Sequence, residues 1–153
     1  MIKCSVLEKS MSYTKVLNIF IAIFTRITIA GVFVFSGWGK LTNLDRTIEY
    51  FTSIGMPISY ILAPFVGVAE LVSGLFIFIG FATRIAAIPL ISIMIVAILT
   101  AKLEEISGVS SLFEMTDFLY ILLLVWLIVQ GAGKISLDYY LIKKITSSQK
   151  FSI

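Results

Sequence analysis

The chain has 153 residues, 59% hydrophobic and 14% charged, with a formal net charge of +3 and no histidine. Soluble domains carry about 25% charged residues, so this composition excludes an ordinary soluble domain and points to helices that cross a lipid bilayer. With Cys4 as the only cysteine and no histidine, the chain has no internal disulfide, dithiol motif or histidine-based metal or haem site. A redox group would have to come from a partner or a bound organic molecule.

Four apolar segments follow one another, at residues 16–38, 58–80, 85–103 and 117–132. A rise of about 1.5 Å per residue requires about 20 residues to cross the hydrocarbon core. The first two segments reach that length, and the last two need a residue or two from their flanks. The first is too long for a signal-peptide core and carries Arg26 at its centre, so it reads as a retained span. The stretch "LTNLDRTIEYFTSIGMP" after it reads as a short interfacial helix. Thr42 and Asp45 have capping-box spacing, Leu44, Ile48, Phe51 and Ile54 share one face, and Gly55 and Pro57 stop it. The turn "FATR" is tight, so the helices it joins are antiparallel neighbours. Pro89 removes a donor near the start of the third span and is expected to kink it. "GAGKISLDYY" leaves the membrane through glycines, with Ser136 capping a short final helix.

The predicted fold is all-α, an integral membrane four-helix bundle spanning residues 16–138. Cytoplasmic tails occupy residues 1–15 and 139–153. Four spans put both termini on one side. That side carries Lys3, Lys9, Lys15, Arg84, Lys134, Lys143, Lys144 and Lys150, against Lys40, Arg46 and Lys102 opposite. The positive-inside rule therefore places both termini in the cytoplasm. The basic balance is explained by lipid headgroups and needs no nucleic acid. No phosphate-binding loop, dinucleotide fingerprint or nucleophile elbow is present.

Arg26 lies ten residues after Val16, and Glu70 ten before Gly80. Each would sit about 15 Å from the cytoplasmic side of antiparallel helices. Matched depth predicts an Arg26–Glu70 pair, since an unpartnered charge at the bilayer centre costs about 2.5–3.5 kcal/mol or more. Ala22, Ala30 and Gly37 share the Arg26 face, and Gly67 and Gly74 flank Glu70. These small residues either bring the backbones together or leave room for a ligand. Lys40 is either an interfacial lysine beside Trp38 or the outer mouth of a pocket, paired with Asp45, Glu114 or Asp117. Arg84 and Lys134 read as cytoplasmic anchors, and Asp138 as a helix-start residue or a partner of Lys134.

The chain resembles the DoxX family of small four-helix membrane proteins. The resemblance rests on Arg26, "SGWGKL", "GVAELVSGLFIFIGFATRIAA" and "GAGKISLD" in this order, across residues 25–138. Where the family typically has Gly-Pro-Gly, this chain has Gly131-Ala132-Gly133. The resemblance implies a prokaryotic cytoplasmic-membrane protein, with Arg26, Lys40, Glu70, Arg84 and Asp138 on recurring polar positions. The family is linked by name to a membrane subunit of a thiosulfate:quinone oxidoreductase.

The sequence supports two main readings. In the first, the chain is a component of an oxidoreductase system that binds a quinone or similar apolar ligand. Arg26, Lys40, Gly67, Glu70 and Gly74 form the site, and Arg26 and Glu70 assist the chemistry. Asp117, Arg84 and Asp138 are outer-mouth or family polar positions, and a partner subunit supplies electrons. In the second, the chain is a non-catalytic anchor or assembly partner, and the Arg/Glu pair is a clamp. A small transporter or channel subunit is a weaker third reading. Membrane lipids, a redox partner and a second copy of the chain are the implied partners.

Overall fold

The computed structural model describes residues 2–103, 106, 108–133 and 135–149, with side chains described from residue 17 to residue 144. It is all-α, with no strand among the described residues. The elements are α1 (Ile2–Thr42), α2 (Leu44–Ser53), α3 (Ser59–Ile79), α4 (Thr83–Ala101), α5 (Val109–Glu114), α6 (Thr116–Gln130) and α7 (Leu137–Gln149). Three helical stretches are long and apolar enough to cross a membrane: Leu17–Thr42, Ser59–Ile79 and Thr83–Ala101. The apolar α6 has 15 residues, about 22 Å at the α-helical rise.

Helices α1, α3, α4 and α6 form a closed ring. α1 packs on α3, α3 on α4, α4 on α6, and α6 returns to α1. The core inside the ring is Ile29, Ala30, Phe33, Ile77, Ala87, Leu90, Leu124 and Leu127. Leu17, Phe20, Phe24, Phe35, Phe65, Ile85 and Val129 point outward and are exposed. A bundle with apolar residues both inside and outside suits lipid, where association is driven by close packing rather than by escape from water.

The α1–α3 seam shows how close that packing is. A Cβ at Gly37 would stand 2.6 Å from the Gly67 carbonyl oxygen and 2.6 Å from the Leu71 nitrogen. Only hydrogen fits, so the two backbones touch. One at Gly67 would meet Leu41 at 3.0 Å, and one at Gly74 would meet Val34 Cγ2 at 2.9 Å. The small residues therefore serve close approach, and the alternative of a cavity between them is not what forms. Replacing Gly37 by valine should force α1 away from α3. A loss of thermal stability well beyond the 1–3 kcal/mol of ordinary overpacking is expected, read as a lowered melting temperature of the detergent-solubilised protein.

The predicted interfacial helix is present as α2, with Phe51 buried. Its start differs from the expected Thr42–Asp45 box. Asn43 is the N-cap, while the Thr42 hydroxyl turns back to donate to the Trp38 carbonyl oxygen. The first helix simply runs four residues past Trp38 before breaking, and Thr42 is still inside it. Gly55 turns the chain with φ +74°. Ser136 caps α7 as expected, accepting from the Tyr139 N–H. α4 runs as one helix with Pro89 inside it. The α5 helix, between α4 and α6, has no counterpart among the predicted elements. α1 begins at Ile2, so the backbone of the expected N-terminal tail is helical.

Candidate functional site

Arg26 and Glu70 do not pair. The antiparallel register sets Arg26 against Ile77 and Phe78, and Glu70 against Gly37. Residues 26 and 37 are about 16 Å apart along α1. The depth match counts from Val16, where the apolar run begins. In the folded chain the end of α3 is level with Arg26 instead, and α1 continues beyond it.

The Arg26 side chain is buried, 6% exposed, and closes one end of the bundle. Its Nε–H donates to the Ile77 carbonyl oxygen at 3.0 Å and Nη2 donates to that of Phe78 at 2.7 Å. Nη1 donates to the Ala132 and Ile135 carbonyl oxygens at 3.0 and 2.7 Å. The first two acceptors belong to the last turn of α3, where carbonyls bear partial negative charge and that of Ile77 is otherwise met only by the Gly80 N–H at 3.2 Å. The other two belong to the loop after α6. One guanidinium therefore satisfies the end of α3 and ties the α6–α7 connection to it. The planar five-donor fork of arginine suits this, and a lysine ammonium would not.

Gly80 makes the arrangement possible. It adopts φ +71°, and a Cβ there would lie 2.5 Å from Arg26 Nη2 and 2.8 Å from Ser136 Cβ. Asp138 completes the knot. Its backbone N–H donates to the Gly80 carbonyl oxygen at 3.1 Å, and its Oδ1 accepts from the Ala82 N–H at 2.8 Å. Ala82 holds a left-handed φ of 45° at the start of α4, a conformation that costs L-residues about 1–2 kcal/mol. The Asp138 carboxylate therefore docks α7 onto a strained turn and places negative charge at a helix N-terminus.

Glu70 is closed by Lys40. Nζ of Lys40 donates to Glu70 Oε2 at 2.6 Å and to Ser36 Oγ at 2.7 Å. The Glu70 side chain is 1% exposed and that of Lys40 25%, so the pair is buried at the carboxylate and open at the amine. Of the partners expected for Lys40, Asp45, Glu114 and Asp117 are not used. Asp117 instead pairs with Lys102, joining the ends of α4 and α6. Sequence reasoning misses Ser36, although its i−4 spacing to Lys40 is readable. It also misses Gly80 and the acceptor carbonyls of Ala132 and Ile135, since backbone acceptors have no residue type to mark them.

A cleft of about 790 Å³ lies beside the knot, between α1, the start of α4, the α6–α7 loop and α7. Arg84 lines it, exposed, next to Gly131. Lys134 lies outside the described residues. Among the described residues there is no group of histidine, cysteine or carboxylate side chains that could hold a metal ion.

The DoxX family profile matches residues 21–103. A membrane protein of Mycobacterium tuberculosis, Rv3486, is 33% identical over 80% of this chain and 82% of its own length. "Putative oxidoreductase CatD" of Bacillus subtilis is 31% identical over 77% of this chain and 84% of its own. Inner membrane protein YqjF of Escherichia coli is 30% identical over 78% of this chain and 90% of its own. No solved structure is a significant match. The profile covers Arg26, Lys40, Glu70 and Arg84, and with these relatives it establishes that the chain belongs to the DoxX family.

Proposed function

We propose that the chain is the membrane-embedded component of an oxidoreductase system whose redox centre is carried by a partner. One observation carries this reading. Arg26 is engaged internally by four carbonyl oxygens and Glu70 by Lys40, so each braces the bundle. The similarity to CatD, named as an oxidoreductase, supports the system to which the component belongs. The sequence has no histidine and only Cys4, so electrons come from elsewhere. A quinone-class ligand is then shared with the partner. Lys40 is the reachable member of the Lys40–Glu70 pair, and can donate to a ligand carbonyl oxygen.

In this reading α6 is the fourth crossing. Its ends meet both ends of α4, through Lys102–Asp117 at one and Arg84 against Gly131 at the other. Both termini then face the cytoplasm. The test is purification through a C-terminal fluorescent tag in mild detergent. The tag should fluoresce in cells, as expected for a cytoplasmic terminus. The preparation should carry flavin, haem or iron–sulfur absorption, and quinone reduction should follow the coloured fraction. Stripping to the isolated chain should remove both. Quinone reduction by the isolated chain would overturn the component reading, and a colourless preparation would overturn the oxidoreductase assignment.

A further inference from the structure

The cleft beside the Arg26 knot has no part in that proposal. The geometry points to a binding site for one anionic phospholipid there, with the Arg84 guanidinium holding the headgroup phosphate. Four observations carry this.

The first is volume. About 790 Å³ is in the range of small-molecule sites, roughly 300–1,000 Å³, and far more than a free phosphate fills. The second is the lining, which is amphipathic. Ile19 of α1, Ile85 of α4 and Ile142 of α7 supply apolar walls, while Asn18 and Gln130 add amides beside Arg84. The third is position. The cleft sits where the apolar stretches Leu17–Thr42 and Thr83–Ala101 have their Arg84-side ends, so acyl chains can run along the helices while a headgroup stays at the rim.

The fourth is charge. Arg84 is exposed and has no hydrogen bond or ion pair among the described residues. Asp138 also lines the cleft, but its Oδ1 is held by the Ala82 N–H and its charge is opposed by Arg26. Among the described lining residues, that leaves Arg84 to set the sign at the rim. A guanidinium binds phosphate oxygens bidentately, and basic pockets between membrane helices recognise anionic headgroups. Gly131, with φ +74°, leaves its Cβ position empty 3.4 Å from Arg84 Nη2, so the guanidinium has room to turn toward a ligand. A neutral quinone would leave this cation unmatched.

The experiment uses the full chain in non-ionic detergent, melted with increasing phosphatidylglycerol, phosphatidylcholine, inorganic phosphate or a short-chain quinone. Phosphatidylglycerol should raise the melting temperature saturably, and the other three should not. Arg84→Gln should weaken the phosphatidylglycerol effect about tenfold, as expected for loss of a charge-assisted bidentate contact. Ile85→Trp alters an exposed wall residue and should also weaken it. It keeps the test decisive if Arg84→Gln does not fold. Equal stabilisation by phosphatidylcholine, or an unchanged response in Arg84→Gln, would overturn the site. Saturable stabilisation by phosphate alone would overturn the lipid, and displacement of phosphatidylglycerol by quinone would reassign the cleft.

Discussion

Arg26→Leu is expected to lose about 3 kcal/mol or more of stability, enough to abolish a monodisperse detergent-solubilised protein. The substitution is hydrophobic, in a span that is otherwise apolar, and hydropathy alone would make it stabilising. The geometry gives the opposite sign. Leucine would strand the carbonyl oxygens of Phe78, Ala132 and Ile135, and would leave that of Ile77 only the Gly80 N–H at 3.2 Å. Each buried acceptor left unpaired costs about 1–3 kcal/mol, and lipid offers no replacement donor. Native stabilities are only about 5–15 kcal/mol, so the loss is a large fraction. Arg26→Lys should recover part of it, because an ammonium keeps the charge but not the fork that reaches two elements at once. Size-exclusion profiles and melting temperatures of the two variants check this. A leucine variant within about 1 kcal/mol of wild type would mean that the knot is not a brace.

The second large effect is expected at Lys40. Lys40→Met leaves the Glu70 carboxylate buried without its cation. Removing one partner of a fully buried pair costs about 3–5 kcal/mol. The Lys40 side chain is a quarter exposed, so about 2–3 kcal/mol is expected after allowance for solvent screening. Glu70→Gln should be milder, since an amide oxygen can still accept from Lys40. Lys40→Met with Glu70→Met should be tolerated better than Lys40→Met alone, because the charge that was stranded is gone. Melting curves in one detergent compare the variants directly. If Lys40→Met is neutral, Glu70 is neutralised or solvated in some other way.

The helices are legible in the sequence because apolar length is a strong signal. The apolar runs 58–80 and 85–103 predict spans, and α3 and α4 occupy Ser59–Ile79 and Thr83–Ala101. The register between spans is not legible. In a segment apolar on every side, nothing marks depth except where the run begins, and α1 is apolar well beyond the end of the bundle. Counting from Val16 therefore puts Arg26 opposite Glu70. In the fold, Arg26 lies against Gly80 at the end of α3, and Glu70 lies further along, against Gly37.

The candidate residues are recognisable as special, but their partners are not. Arg26 bonds to backbone oxygens, which every residue has, so no sequence pattern distinguishes Ile135 from its neighbours. Trp38 reads as a belt residue, which places Lys40 past the end of the helix. α1 continues to Thr42, which keeps Lys40 on the same face as Ser36 and within reach of Glu70. Gly37, Gly67 and Gly74 read correctly as small for a reason. Distances to Leu71, Leu41 and Val34 decide between close approach and cavity, and composition holds no such distances.

The most direct test of two separate braces is a pair of double-mutant cycles on melting stability. One combines Arg26→Lys with Glu70→Gln, and the other combines Lys40→Met with Glu70→Gln. Arg26 and Glu70 should add to within about 0.5 kcal/mol, as residues without shared partners do. Lys40 and Glu70 should couple by about 1 kcal/mol or more. Strong coupling of Arg26 to Glu70, with additivity between Lys40 and Glu70, would contradict the arrangement of both braces.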